Sequence, residues 1–283
     1  MPHLVPRIIR SSGALGARIE GLDRSQANTP DTAALLDQAL AEHLLVVIPG
    51  VPMTPDETRD LARAFGEPRV QLLRRKRVGT VPEVSTMVST LMRDGTTDKT
   101  AYRAEDWHTD DSYFEIPAKA TLLHGIEIPS RGGATWFCNM HSVYDALPEA
   151  TRGRIEGKRA IHGYDTPRAR NRPAPRTPQE IAETPDVEHP LVRTHPVTGR
   201  KGLYLNPNWL DRIVGLPRAE SDALLDELTD EARKPRHHYG QVWSVGDVVV
   251  WDNRATMHRV VNDYPVGEPR IMHRVLIQGE RPV

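Results

Sequence analysis

Residues 246–261 read GDVVVWDNRATMHRVV. Val248 to Trp251 is a continuous apolar run of strand length. Asp252, Asn253 and Arg254 supply turn chemistry, and His258 opens a second strand. A lone histidine reads by default as an ordinary core or surface residue, so His258 needs partners elsewhere in the chain to mean more.

Just downstream, EPRIMHRVLIQGERP (268–282) predicts another strand. It carries Arg270 and Arg274, four residues apart. On a strand those positions point the same way, about 13 Å apart from the usual rise. Each guanidinium offers a planar fork for a carboxylate or similar anion. Facing inward, the two imply two anionic groups to be held; facing outward, they would only meet solvent or surface acids.

Upstream, DWHTDD (106–111) places His108 and Asp110 two apart, on one side of an extended segment. Alone, an H-x-D triplet reads as solvated turn residues. With His258 it completes a two-histidine, one-carboxylate triad. Such a triad occupies one face of an octahedron and leaves three positions open, which suits non-haem Fe(II) and O₂ chemistry. Structural zinc more often recruits cysteines, and Cys138 is the only one here.

The rest of the chain predicts a mixed α/β protein dominated by β. Strands are expected at ATLLHGIEI, ATWFCN, RAIHGY, HPLVRTH and GLYLN in the second half, with a helix from about Arg218 to Arg233. In the first third, Val5 to Ile9 reads as a strand. Two helices are expected, one entered at Thr29-Pro30-Asp31 and one at Thr54-Pro55-Asp56-Glu57, the second ending at Gly66. LLVVIPG between them reads as a buried strand. Residues 68–105 and 165–188 show no clean period and read as loops, candidate lids over a site or plain surface.

With 37 Lys+Arg against 38 Asp+Glu, the chain lacks the basic excess of a nucleic-acid or anionic-membrane binder. No apolar stretch approaches the roughly 20 residues that span a bilayer. The acid-free first 19 residues, with Arg7, Arg10 and Arg18, have no secretory apolar core and read better as a strand than as a transit segment. A single cysteine points to a reducing, cytoplasmic setting. No composition break divides 1–283, so one domain is expected.

Five motifs in order, HTD (108–110), PSRGGAT (129–135), THPVTGRKGLYLN (194–206), WDNRATMH (251–258) and RIMHR (270–274), resemble the taurine/α-ketoglutarate dioxygenase (TauD/TfdA) family. The likeness runs from about residue 5 to the C-terminus. It implies a double-stranded β-helix (jelly-roll) core with flanking helices. It also implies an Fe(II)- and 2-oxoglutarate-dependent dioxygenase that uses O₂ to hydroxylate a small, anionic molecule and releases succinate and CO₂. On that resemblance His108, Asp110 and His258 are the iron ligands. Thr135 and Arg270 clamp the far carboxylate of 2-oxoglutarate. Arg274 reaches the substrate's anionic group, and Tyr164 and Trp209 match aromatic pocket positions. Asp111 stands where the family often has Val or Ser, and is kept as a substrate-side candidate. Residues 69–78 depart from the family's substrate-binding residues, so taurine itself is not implied. A homo-oligomer, dimer or tetramer, is also implied. A zinc hydrolase on the same three ligands, or a non-catalytic binder on the same scaffold, stand as the alternatives.

Overall fold

A computed structural model describes residues 6–50, 52–73, 76–90, 102–168 and 176–283. The runs LVVI and VVVW form the strands Leu45–Ile48 and Val248–Asp252, paired with each other and buried throughout. Among the described residues they sit in a nine-stranded sheet with Ala118–Glu127, Pro269–Gln278 and Val81–Thr90.

Alternation along these strands sends side chains to two different cores. Val46, Ile48, Val248, Val250, Ala120 and Leu122 pack under the helices, against Leu36, Leu40, Leu61 and Phe65. Leu45, Val47, Val249, Trp251, Leu123 and Met272 face the opposite way, towards Phe137 and Trp243. A strand covered on both faces has no polar side, which is why these runs are continuously apolar. The second layer is a three-stranded sheet with Thr135–Asn139 at its centre, flanked by His238–Gln241 and Thr256–Val260. Two facing sheets with helices on the outside make a jelly-roll core.

The two early helices form as expected. Pro30–His43 buries Leu36, Ala39 and Leu40. Pro55–Ala62 begins with a capping box: Glu57 N–H donates to Thr54 Oγ1 (3.2 Å) and Thr54 N–H donates to Glu57 Oε2 (2.8 Å). The helix continues as a 3₁₀ turn to Phe65 and stops at Gly66 (φ 135°). The later helix expected from the sequence forms at Arg218–Ala232, and the first strand among the described residues is Arg7–Arg10. Among the described residues, no helix is long and apolar enough to cross a membrane.

The two expected loops need correcting where they are described. Val81–Thr90 is a ten-residue strand, paired from Val84 to Thr90 with Pro269–Gln278. Its serines and threonines (85, 86, 89 and 90) hide any apolar alternation, so the partner strand decides its conformation. In 165–188, Thr177 and Glu180 form a capping box that starts the helix Pro178–Ala182, and Val187–Pro190 is a strand. Within these segments residues 74–75, 91–101 and 169–175 lie outside the described residues, and the lid reading of those stretches lies outside them too.

Val187–Pro190 pairs with Arg159–His162, bringing two buried imidazoles together with ring centroids 5.2 Å apart. His189 Nε2–H donates to the Phe114 carbonyl (2.9 Å), and His162 Nδ1 meets Ser112 Oγ (2.9 Å). Burial pushes His189 down from 6.5 to about 4, and His162 well below its ordinary value. Both are therefore neutral in the folded protein, whereas the unfolded chain takes up protons once pH falls below about 6.5. Their contribution to stability is complete above that pH and is lost on acidification towards pH 4. His189 alone should account for a loss of about 3 kcal/mol across that window. Urea unfolding at a series of pH values checks this; equal stability of wild type and His189→Gln at every pH would contradict it.

Candidate active site

His108 and His258 are a cross-strand pair. His108 N–H donates to His258 O (3.0 Å) and His258 N–H donates to His108 O (2.7 Å). Partners in such a pair project to the same face, and the ring centroids lie 4.1 Å apart. Asp110 follows two residues after His108, where the chain leaves the bridge and turns. The three side chains offer ligand atoms all within 4.8 Å of one another.

Electrostatics leave these groups in metal-binding form. His108 Nδ1 lies 2.8 Å from the Asp106 carbonyl, which can only accept, so Nδ1 carries a proton and Nε2 is the nitrogen left to face a metal. Burial, with neighbouring His108, pushes His258 down to about 3, so its imidazole is neutral. Burial works against the charge on Asp110. The imidazoles, Arg274 and the Thr121 hydroxyl outweigh it and hold the carboxyl below its ordinary value. Two imidazoles and one carboxylate suit a divalent cation with open positions.

The triad opens into a cavity of about 180 Å³ between the two sheets, also lined by Thr135, Arg270, Met272 and Arg274. Residues 270, 272 and 274 share the cavity face, as period two requires. Arg270 is buried (5% exposed) and has no ion-pair partner among the described residues. Burial lowers its pKa to about 10. Its Nε–H donates to Gly133 O (3.0 Å) and its Nη2–H to Thr135 Oγ1 (3.0 Å). Trp243 Nε1–H also donates to Thr135 Oγ1 (3.0 Å). With both acceptor positions used, the Thr135 hydroxyl proton is left to donate to a ligand. A buried guanidinium beside such a hydroxyl fits a carboxylate.

The PSRGGAT motif builds this corner. Gly132 and Gly133 have φ of 72° and 69°, and a Cβ on Gly132 would lie 2.6 Å from Asp263 Oδ1. That Asp263 oxygen accepts from Gly133 N–H (2.8 Å), turning the Gly133 carbonyl to Arg270.

Arg274 lies against Asp110, Nη1 to Oδ1 3.6 Å. Its Nη2–H donates to Gln71 Oε1 (3.2 Å), an acceptor supplied by the segment that departs from the family pattern. Asp111, Tyr164 and Trp209 are placed elsewhere. Asp111 turns away at φ 58°, accepts from the Tyr113 hydroxyl (2.9 Å) and pairs with Arg69 (3.4 Å). Tyr164 and Trp209 pack with Tyr113 in a buried aromatic cluster, Tyr164 beneath the Arg176 guanidinium. None of the three is among the described residues lining the cavity. Asp252 and Asn253 build the turn, as expected, with Asp252 gripping Arg254 and His195. Cys138 is fully buried in its strand, its thiol pKa raised by burial. Residues that sequence reading passed over are Gln71, Thr121 and Trp243. Thr121 alone had a local signal, a polar residue inside the apolar run ATLL.

A jelly roll holding a metal-capable triad beside an acid-free arginine is the framework of a metal-dependent enzyme with an anionic co-substrate. The chain matches the family "Taurine catabolism dioxygenase TauD, TfdA family" over residues 8–276. It is 32% identical over 280 residues to the α-ketoglutarate-dependent sulfate ester dioxygenase of Pseudomonas putida, covering 96% of this chain and 89% of that one. It is 30% identical to the α-ketoglutarate-dependent 2,4-dichlorophenoxyacetate dioxygenase of Cupriavidus pinatubonensis, covering 86% and 88%. The crystal structure of AAD-2 in complex with Mn(II) and N-oxalylglycine superposes with a TM-score of 0.80 at 29% identity, covering 99% of both chains. The chain belongs to the TauD/TfdA family. It is an α-ketoglutarate-dependent dioxygenase, an oxidoreductase that uses Fe(II), 2-oxoglutarate and O₂ on a small molecule. The hydrolase and non-catalytic alternatives find no support in these relatives.

Proposed function

We propose that this enzyme hydroxylates a C–H bond of a small organic anion, with His108, Asp110 and His258 as the iron ligands. The observation that carries the reading is the convergence of three ligand atoms within 4.8 Å in the cavity that also holds Arg270. Thr135 and Arg270 hold the far carboxylate of 2-oxoglutarate, which supplies the negative counter-charge that buried Arg270 lacks among the described residues. Fe(II) supplies the oxidative chemistry that converts 2-oxoglutarate to succinate and CO₂ while an oxygen atom enters the substrate. The protein orients both organic molecules and keeps water from the reacting carbon.

Arg274 takes the substrate's anionic group. It stands on the same strand face as Arg270, and it is held by Gln71 beside the Asp110 carboxylate. The named substrates of the two relatives, a sulfate ester and an aryloxyacetate, are both anions. Arg274→Ala should raise KM for the primary substrate by about tenfold or more and leave that for 2-oxoglutarate unchanged. Equal losses in both would show that the two arginines do not divide the work in this way.

Sites drawn from residues 108 to 274 support reading 1–283 as one catalytic domain. The lone, buried Cys138 supports a cytoplasmic setting, and family likeness supports a homo-oligomer, measurable by sedimentation. The direct test adds Fe(II) and 2-oxoglutarate to the protein without oxygen. A visible charge-transfer band is expected, and its absence from iron-loaded protein would reject the reading. With oxygen, a panel of alkyl sulfates, sulfonates, aryloxyacetates and phosphonates is then screened for stimulated succinate release.

A further inference from the structure

Asp110 is also gripped from behind, by a hydrogen-bond chain that can run in only one direction. It begins at Trp251, whose indole N–H can only donate, and does so to Asn253 Oδ1 (2.9 Å). That contact orients the Asn253 amide, so Nδ2 faces Thr121 and donates to its Oγ1 (2.8 Å). The Thr121 hydroxyl accepts there, and its single proton points at Asp110 Oδ2 (2.6 Å). Trp251, Asn253 and Thr121 are at most 2% exposed, so water does not compete for these bonds. The loop carrying Asp110 is tied to the same asparagine, because the Thr109 hydroxyl donates to the Asn253 carbonyl (3.0 Å).

Three residues from two separate segments therefore form a relay that ends, through Thr121, on one carboxylate oxygen. Nothing in the chain's polarity allows Thr121 to turn its proton away: Asn253 presents a donor, and Asp110 is the acceptor on the other side. We propose that Thr121 is a positioning residue for the iron centre. Its hydroxyl, aligned by Asn253 and Trp251, holds Asp110 in one rotamer, so that the carboxylate meets the metal without first being ordered.

The inference rests on Asp110 being a metal ligand. Loss of a partner that orients a ligating carboxylate typically weakens metal affinity by about 10- to 100-fold. Fe(II) affinity, measured without oxygen by competition with a chromogenic chelator, separates the possibilities. Thr121→Ala should bind Fe(II) about 10- to 100-fold more weakly than wild type, and Thr121→Ser should return to within about threefold of it. Those two variants differ by the hydroxyl alone, so packing lost with the methyl group is common to both. Thr121→Val, which keeps the volume, should behave as Thr121→Ala. Thermal melting of the metal-free proteins provides the control, because a purely structural threonine would change melting but not affinity. Unchanged Fe(II) affinity in a folded Thr121→Ala or Thr121→Val would overturn the proposal, as would a serine variant as weak as alanine. A wild-type protein that fails to bind Fe(II) would instead remove the triad reading beneath it.

Discussion

Arg270→Leu is expected to raise KM for 2-oxoglutarate by about two orders of magnitude while leaving iron retention intact. Truncating one side of a buried, hydrogen-bonded charge pair costs about 2–5 kcal/mol, and each 1.4 kcal/mol is tenfold. Arg270 is a strong case because its charge has no acid to neutralise it among the described residues, and burial already lowers its pKa to about 10. Until an anion arrives, the guanidinium relies on two neutral acceptors, Gly133 O and Thr135 Oγ1. Stability should therefore move differently from binding. Replacing an unpaired buried charge with a shorter apolar side chain removes a desolvation penalty that offsets the lost packing, so the ligand-free variant should melt no lower than wild type. Steady-state kinetics against 2-oxoglutarate, with calorimetry of the metal-free protein, test both halves. A KM within about threefold of wild type would place the co-substrate carboxylate elsewhere.

Asp110→Ala should reduce iron retention to background and abolish turnover, with the fold preserved. The carboxylate is the only acid lining the described cavity, against Arg270, Arg274 and Lys76. Without it two imidazoles would have to attract a divalent cation beside Arg274, whose guanidinium lies 3.6 Å from the replaced carboxylate. The core does not depend on this side chain. Its neighbouring backbone is secured by the paired hydrogen bonds between His108 and His258, and by Thr109 on Asn253. Asp110→Asn refines the test, because an amide keeps the shape and can still accept from Thr121, but carries no charge. It too should lose iron. Metal analysis and near-ultraviolet circular dichroism on both variants decide the matter; either variant holding stoichiometric iron with full activity would contradict the triad.

Much of this site was legible because its chemistry is written in short-range spacing. Arg270 and Arg274 share a face for no reason beyond the period of a strand, and Met272 between them lines the same cavity. The apolar run before Asp252 announced a strand, which the fold buries throughout. Where the pattern was mixed, reading failed. Val81–Thr90 alternates nothing recognisable, yet its pairing with Pro269–Gln278 makes it a strand. Thr177 and Glu180 carried a capping signature that the surrounding prolines obscured. Asp111 shows a different limit. Adjacent to Asp110 in the chain, it is turned by a left-handed backbone towards Arg69 and Tyr113.

Residue identity and spacing picked out the candidate triad and the paired arginines, because donor types and strand period are local properties, and the order of the motifs supplied the class of chemistry. Only the tertiary structure decided which polar groups surround those ligands. Gln71 reaches Arg274 across 203 positions, Asn253 reaches Thr121 across 132, and Trp243 reaches Thr135 across 108. Hydrogen-bond direction depends on what stands at both ends, and chain folding alone brings those ends together.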